Sequence, residues 1–155
     1  MTWRIPASVI ATTEAALRSG AHEVFVLWTA SLSVATTETM PISRAIVPAQ
    51  QASATATGVY VHVEGSELAR IQFDNFERRE RNVVQLHTHP GHNVGMSPLD
   101  REWEVVRHVG ALSIIVPYYG RRPLAGFSGV NVYERDERDW RLLAPDEVAR
   151  RLAIV

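Results

Sequence analysis

Two short segments are apolar at nearly every position, and they constrain the fold more than any other feature of the sequence. They are Glu23 to Trp28 (EVFVLW) and Ala111 to Pro117 (ALSIIVP), both rich in β-branched or aromatic residues. A strand with one face in water alternates apolar and polar residues, whereas a strand buried on both faces does not. We therefore expect both segments to be buried strands, with Glu23 to Trp28 at the centre of a sheet.

The rest of the pattern predicts an α+β fold. Further strands are predicted at residues 41 to 47, 59 to 63, 83 to 88, 130 to 133 and 140 to 143, the last two as a hairpin. Helices are predicted at residues 6 to 19, 66 to 80, 98 to 108 and 145 to 152, with Ser66 and Ser97 as N-terminal caps. The stretch from Pro48 to Gly58 is predicted to be a loop. These elements give one domain over residues 1 to 155, a mixed sheet flanked by helices.

Composition excludes several kinds of site, because the chain contains no cysteine. Disulfides, thiolate metal sites and thiol nucleophiles are ruled out, so a bound metal must be held by imidazole, carboxylate or water. The formal net charge of -1 gives no general basic field, and nucleic acid is therefore not expected as a partner. The arginine pairs at residues 78 to 79, 121 to 122 and 150 to 151 are interpreted as solvated surface.

The N-terminus lacks the basic region and apolar core of a secretion signal. No apolar run approaches the roughly 20 residues that a membrane-spanning helix needs. The sequence thus predicts a cytoplasmic protein without a membrane partner.

The informative segment is His87-Thr88-His89-Pro90, at the end of a predicted strand. Because side chains alternate faces along a strand, His87 and His89 point the same way, with Cα atoms about 6.6 Å apart. Pro90 has no backbone N–H and keeps the residue before it extended, so the strand ends there. The two imidazoles are therefore expected at an open rim of the sheet.

A carboxylate follows at a spacing that lets the chain return to the same rim. Seven residues separate His89 from Ser97, and Asp100 then falls in the first turn of the next predicted helix. Two imidazoles and one carboxylate leave a fourth position for water, as in a catalytic zinc site. Alone, the Ser97 to Asp100 segment would only cap a helix and His-x-His would be a pair of polar side chains. The two motifs at this spacing favour the metal site.

With these two motifs the sequence resembles the JAMM (JAB1/MPN/Mov34) metalloproteases, in particular their compact prokaryotic JAB-domain branch. The family signature is an upstream Glu, then His-x-His-Pro, then Ser seven positions after the Pro and Asp three positions after the Ser. Here these are Glu23, the segment from His87 to Pro90, Ser97 and Asp100, although Val26 stands where the family often has Gly. The resemblance implies a single MPN/JAB-like domain with cytidine-deaminase-like layering.

The resemblance also implies a role for each motif residue. His87, His89 and Asp100 would hold one Zn²⁺ ion per chain, Glu23 would act as general base and later acid, and Ser97 would hydrogen-bond the oxyanion. General chemistry agrees with these roles, since a carboxylate can move the proton of an attacking water and a hydroxyl can stabilise developing negative charge.

Other residues near the motifs are weaker candidates. His92 and Trp103 are candidates for substrate contact, with an exposed loop histidine and a core tryptophan as the alternatives. Asp100, Glu104 and His108 lie four apart in the predicted helix and would share one face. The alternatives to Glu23 as the base are Glu14 and Glu38.

By this resemblance the chain is expected to be a deubiquitinase-like zinc metalloprotease or isopeptidase that cuts after the C-terminal glycine of a ubiquitin-like modifier. Its expected partners are that modifier or its conjugates, with the activating and conjugating enzymes of a prokaryotic, antiphage pathway. Two alternatives remain, a peptidase that trims sulfur-carrier proteins and a non-catalytic MPN-type binding scaffold. A barrel hydrolase with His-x-His is disfavoured, because such barrels need about 250 residues.

Overall fold

The computed structural model describes residues 1–19, 22–55, 58–102 and 104–155, which form ten strands and four α-helices. The strands are β1 (Thr2–Ile5), β2 (Phe25–Ser31), β3 (Thr39–Ile46), β4 (Gln51–Thr55), β5 (Gly58–His62), β6 (Glu80–Thr88), β7 (Leu112–Val116), β8 (Asn131–Arg135), β9 (Trp140–Leu142) and β10 (Leu152–Ile154). The helices are α1 (Ala7–Leu17), α2 (Gly65–Arg78), α3 (Pro98–Glu102) and α4 (Pro145–Arg151). Among these helices, none is long and apolar enough to cross a membrane.

Eight of the strands form one mixed sheet in the order β10-β1-β3-β2-β6-β7-β8-β9, while β4 and β5 form a separate hairpin. Strand β2 lies between β3 and β6 and is antiparallel to both, with Phe25 opposite His87. Strand β7 is parallel to β6 and antiparallel to β8. Both apolar segments are therefore internal strands of the sheet, as the sequence predicted.

Helices cover both faces of this curled sheet. On one face, α1 contacts β2 and β3, and α4 contacts β1 and β10. Alternate residues of β2 lie on the two faces of the sheet. Val26 and Trp28 belong to the hydrophobic cluster that contains residues of α1, and Phe25 and Leu27 belong to the cluster on the other face. The second cluster includes Ile71 of α2. The α+β architecture with a mixed central sheet is thus confirmed.

The core under α1 contains a satisfied polar pair. The Trp28 indole donates to the Thr13 hydroxyl at 2.8 Å, and that hydroxyl donates to the Val9 carbonyl at 2.7 Å. Burying a donor without a partner costs about 1 to 3 kcal/mol, so the pair allows a tryptophan in the centre of the core. Trp28 is fully buried, as expected for a residue of the predicted buried strand from Glu23 to Trp28.

Several predicted boundaries were wrong. The terminal strands were missed because each is short, and β1 and β10 pair with each other in parallel through Trp3 and Leu152. Part of the predicted loop from Pro48 to Gly58 is β4, a strand of small and polar residues without an apolar pattern. Helix α2 begins at Gly65 with Glu64 as its N-cap, not with Ser66.

The predicted helix over residues 98 to 108 was also wrong, because α3 ends at Glu102. The Gln85 side chain on β6 accepts the backbone N–H groups of Val105 and Val106 at 3.0 and 2.9 Å. These N–H groups are thereby satisfied outside a helix, and β-branched valines favour helix weakly. Consequently Asp100, Glu104 and His108 do not share a helical face.

Gly120, in the segment after β7, lies in close contact with α1. It has φ +68, and an added Cβ would lie 2.6 Å from the Leu17 Cβ, whereas a Cβ on Gly126, at φ +76, would meet nothing within 4 Å. We expect Gly120→Ala to lower the free energy of unfolding by about 2 to 4 kcal/mol, from overpacking plus the left-handed backbone. Gly126→Ala should cost only about 1 kcal/mol. Equal losses in urea titrations would contradict the contact.

Candidate metal centre and catalytic site

Two imidazoles converge where β6 ends. His87 is the next-to-last residue of β6, His89 follows the strand, and their Nε2 atoms are 3.1 Å apart. The His89 N–H donates to the Val116 carbonyl at 2.8 Å, and the His89 carbonyl accepts the Tyr119 N–H at 2.9 Å. The backbone of His89 is therefore fixed on both sides by β7 and the turn after it.

Helix α3 supplies the carboxylate. The Ser97 N–H donates to Asp100 Oδ2 at 2.8 Å, and the Asp100 N–H donates to Ser97 Oγ at 3.1 Å, a reciprocal cap at the start of the helix. Asp100 Oδ1 lies 3.0 Å from His87 Nε2, and Oδ2 lies 3.3 Å from His89 Nε2. The predicted cap exists, and it directs the carboxylate toward the two imidazoles.

This donor set fits a zinc ion. One ligand atom each from His87, His89 and Asp100 lie within 4.8 Å of one another. His89 Nδ1 lies 2.8 Å from the Asn93 carbonyl, which can only accept, so in the neutral ring Nδ1 carries the proton and Nε2 keeps its lone pair. Two imidazole nitrogens and a carboxylate suit the borderline character of zinc, and three protein ligands leave one position open.

The electrostatics of the centre show how strongly its members depend on one another. Burial alone would raise the pKa of Asp100, but hydrogen bonds from His87 and His89 outweigh it and hold that pKa well below its usual range. Burial would lower the pKa of His89, but the Asp100 carboxylate and the Asn93 carbonyl raise it overall. The cluster thus favours a negative carboxylate beside a positive partner.

Glu23 lies just before β2, across from the end of β6. The N–H of Val24 donates to the Thr88 hydroxyl at 3.0 Å, which continues the β2–β6 ladder beyond the strand. Glu23 is only 5% exposed, and with His87 and Asp100 it lines a cavity of about 40 Å³. Burial raises the pKa of Glu23 to about 7, with His89 lowering it and Asp100 raising it further. The carboxyl can therefore exchange a proton near neutral pH.

Sequence reasoning missed the residues that hold the loop between the ligands. The Tyr133 hydroxyl on β8 accepts the Met96 N–H at 3.2 Å, and the Asn131 amide donates to the Val94 carbonyl at 3.0 Å. These contacts join residues almost forty positions apart, and a single polar side chain on a strand gives no local signal for them. They tie the 91–97 loop to the sheet.

A second missed residue is Gln50, which extends the sheet beside Glu23. Its side-chain oxygen accepts the Phe25 N–H at 2.6 Å, and its amide donates to the Phe25 carbonyl at 2.9 Å. The amide thereby takes the place of a neighbouring strand at the edge where β3 has ended. It holds the backbone that positions Glu23.

Of the remaining candidates that the structure describes, none belongs to the group of His87, His89 and Asp100. His92 is exposed and lines a separate cavity of about 220 Å³ with Tyr118 and Arg122. Trp103 lies outside the described residues. Glu104 accepts the Trp140 indole at 2.6 Å. The alternatives to Glu23 as base lie elsewhere, because Glu14 bonds Arg18 and the Leu124 N–H, and Glu38 is exposed before β3.

Comparison with known proteins agrees with a metal centre. The chain is 30% identical over 157 residues to the probable metalloprotease y4jG of Sinorhizobium fredii, covering 99% of this chain and 94% of that protein. No model of a protein family matches the chain. Its fold is similar to the solution structure of protein DSY2949 from Desulfitobacterium hafniense, with a TM-score of 0.67, 9% identity, and coverage of 99% and 93%.

The His-His-Asp group at the end of a central strand, beside a buried glutamate, and the similarity to a probable metalloprotease together support a metal-dependent protease. The 30% identity over nearly the full length of both chains shows which metalloproteases this chain is related to. The chain belongs to the metalloprotease family that includes y4jG.

The raised pKa of Glu23 predicts a pH-dependent stability in the metal-free chain. Folding favours the protonated carboxyl, so stability present below the ordinary pKa of 4.5 is lost as the pH rises through about 7. Glu23→Gln mimics the neutral form at every pH. We therefore expect Glu23→Gln to gain about 1 to 3 kcal/mol over wild type at pH 8 and almost nothing at pH 4.

The measurement is urea unfolding at several pH values with a chelator present. Glu137→Gln, in the exposed turn between β8 and β9, is the matched control and should change little. An advantage of Glu23→Gln that is the same at pH 4 and pH 8 would show that the carboxyl is not the cause.

Proposed function

We propose that the chain is a zinc-dependent isopeptidase of the JAMM type, which hydrolyses the amide bond after the C-terminal glycine of a ubiquitin-like modifier. The observation that carries this proposal is the placement of ligand atoms of His87, His89 and Asp100 within 4.8 Å of one another, with Glu23 lining a cavity together with His87 and Asp100. These residues stand at the positions of the JAMM signature, and together they supply a ligand set and a proton carrier.

The residues divide the chemistry between them. Zinc held by the three ligands would polarise the scissile carbonyl and make water more nucleophilic. Glu23 takes a proton from the attacking water and delivers it to the leaving amine. Ser97 Oγ accepts the Asp100 N–H through a lone pair, so its own hydrogen stays available to the carbonyl oxygen that becomes negative.

The shape of the cleft favours a substrate without side chains at the cut. The inner cavity of about 40 Å³ holds little more than a water molecule, and it shares Phe25, Val61 and Glu104 with an outer groove of about 360 Å³. A tail that ends in glycines fits the narrow part, while bulkier residues lie in the groove. Because β5 supplies Val61 and His62 to its wall, the tail can lie extended along that strand.

The proposed setting is a prokaryotic ubiquitin-like pathway, antiphage in character. Deconjugation requires that an activating enzyme and a conjugating enzyme make the linkage first. The modifier and its conjugates are thus the proposed substrates, and the conjugating enzymes are the proposed neighbours in the pathway.

Ser97 gives a test of the oxyanion role that is separate from the cap. Ser97→Ala should lower kcat by roughly 10²-fold, because one oxyanion donor is lost, and should lower stability by about 1 kcal/mol, because the cap is lost. Ser66→Ala, at a serine in the first turn of α2, is the control and should keep its kcat. Unchanged kcat together with the loss of stability would leave Ser97 as a cap alone.

The function itself is tested with a modifier encoded beside the gene, ending in Gly-Gly and joined to a lysine side chain or to a short peptide. Wild type should release the modifier, and Glu23→Gln should bind the conjugate while kcat falls by at least about 10²-fold. Asp100→Ala should lose zinc as well as rate. Comparing Glu23→Gln with Asp100→Ala therefore separates the loss of proton transfer from the loss of metal binding.

Three outcomes contradict the proposal, with a sulfur-carrier precursor assayed in parallel. Wild-type cleavage by Glu23→Gln would remove Glu23 from the mechanism. Cleavage of the sulfur-carrier precursor without cleavage of the modifier conjugate would replace the modifier as the substrate. Binding of the conjugate by wild type without any cleavage would make the chain a scaffold.

A further inference from the structure

A second cavity lies at the opposite end of β6 from the metal centre. It has a volume of about 630 Å³ and is bounded by the end of α2, the first residues of β6, the turn after β2 and the segment from Val105 to His108. Arg81 on its wall precedes His87 by six residues of one strand, a separation of roughly 20 Å. The wall formed by Arg79 and Arg81 is therefore remote from the metal ligands, although Val105 and Arg107 on the other wall also line the outer groove.

Three arginines line this cavity, namely Arg79, Arg81 and Arg107. Arg79 is the left-handed C-cap of α2, and its carbonyl accepts the Leu32 N–H at 3.0 Å, so its backbone is fixed. Within the part of the chain that the structure describes, neither Arg79 nor Arg81 has a carboxylate within 4.0 Å. The two guanidinium groups therefore bring uncompensated positive charge to the wall.

The carboxylate nearest in sequence to these arginines is already engaged. Glu80 accepts from Arg44 at 2.7 Å and from Thr29 at 3.0 Å, and its Arg44 partner also bonds Asn75 at 2.8 Å. The pKa of His108 lies below its ordinary value because of burial and then the charge of Arg81. The local field is thus positive although the chain as a whole carries a formal net charge of -1.

An aromatic ring stands beside this positive wall. Phe76 is 81% exposed and lines the cavity, whereas Phe73 on the same helix is 67% exposed and does not. Leu32, also largely exposed, lines the cavity as well. An exposed ring next to guanidinium groups offers a stacking surface for a planar, apolar group. The Asn82 side chain adds a polar edge to the same wall.

We propose that this cavity binds a phosphorylated small molecule with a planar apolar body, of the size of a nucleoside diphosphate. The volume lies in the range of roughly 300 to 1,000 Å³ typical of ligand sites. Guanidinium groups bind phosphate oxygens in pairs, and two such groups without acidic partners match a group of more than one negative charge. The ring of Phe76 would stack on the planar part of this ligand.

The test is calorimetric titration of the zinc-loaded full chain with ADP, adenosine and pyrophosphate. ADP should bind more tightly than either fragment, because only ADP uses both the arginines and the ring. Arg81→Gln and Phe76→Ala should each weaken ADP binding by about tenfold or more. The matched controls are Arg138→Gln, in the exposed β8–β9 turn, and Phe73→Ala, and both should bind ADP as wild type does.

Asp100→Ala distinguishes this cavity from phosphate binding at the metal centre. The variant should lose zinc and still bind ADP. Loss of binding in that variant would place ADP at the metal centre and overturn the proposal. So would absence of heat at about 1 mM ADP, or equal binding by all the variants. The cavity would hold an adventitious ion only, if pyrophosphate binds as tightly as ADP and Phe76→Ala changes neither affinity. Because the side chains of Phe73, Phe76, Arg81 and Arg138 are exposed, circular dichroism should show that these four variants are folded.

Discussion

The approach of two imidazoles and a carboxylate at the end of β6 is the constraint on which the rest of the structure depends. His87 Nε2 lies 3.1 Å from His89 Nε2 and 3.0 Å from Asp100 Oδ1, which requires two separate pieces of backbone to be held together. The sheet positions the first, the end of β6, through the pairing of β6 with β2 and β7. The reciprocal cap between Ser97 and Asp100 positions the carboxylate of the second.

Glu23 is the unfavourable element of the metal-free arrangement. Burial, together with the neighbouring charge of Asp100, opposes ionisation of its carboxyl group. A divalent cation held by His87, His89 and Asp100 would offset the negative charge beside this cavity. Metal binding in such a site also contributes to folding, since the ligands converge only in the native chain.

Much of the site could be predicted from the sequence, because its elements are local. Alternation along a strand places His87 and His89 on one side, Pro90 ends the strand, and the cap motif delivers Asp100. The supports could not be predicted in this way. Gln85 ends α3 through contacts twenty residues away, and Gln50 completes the edge of β2 from twenty-five residues away. In each case one polar side chain bonds distant backbone, and such a bond leaves no periodic trace in the sequence.

The metal centre is tested most directly by the zinc content of the purified chain, measured by mass spectrometry after dialysis, beside that of Asp100→Ala. We expect about one zinc ion per wild-type chain and almost none in the variant, because a carboxylate ligand has been removed. Equal zinc in the two proteins, or none in wild type after zinc is supplied, would contradict the metal centre formed by His87, His89 and Asp100.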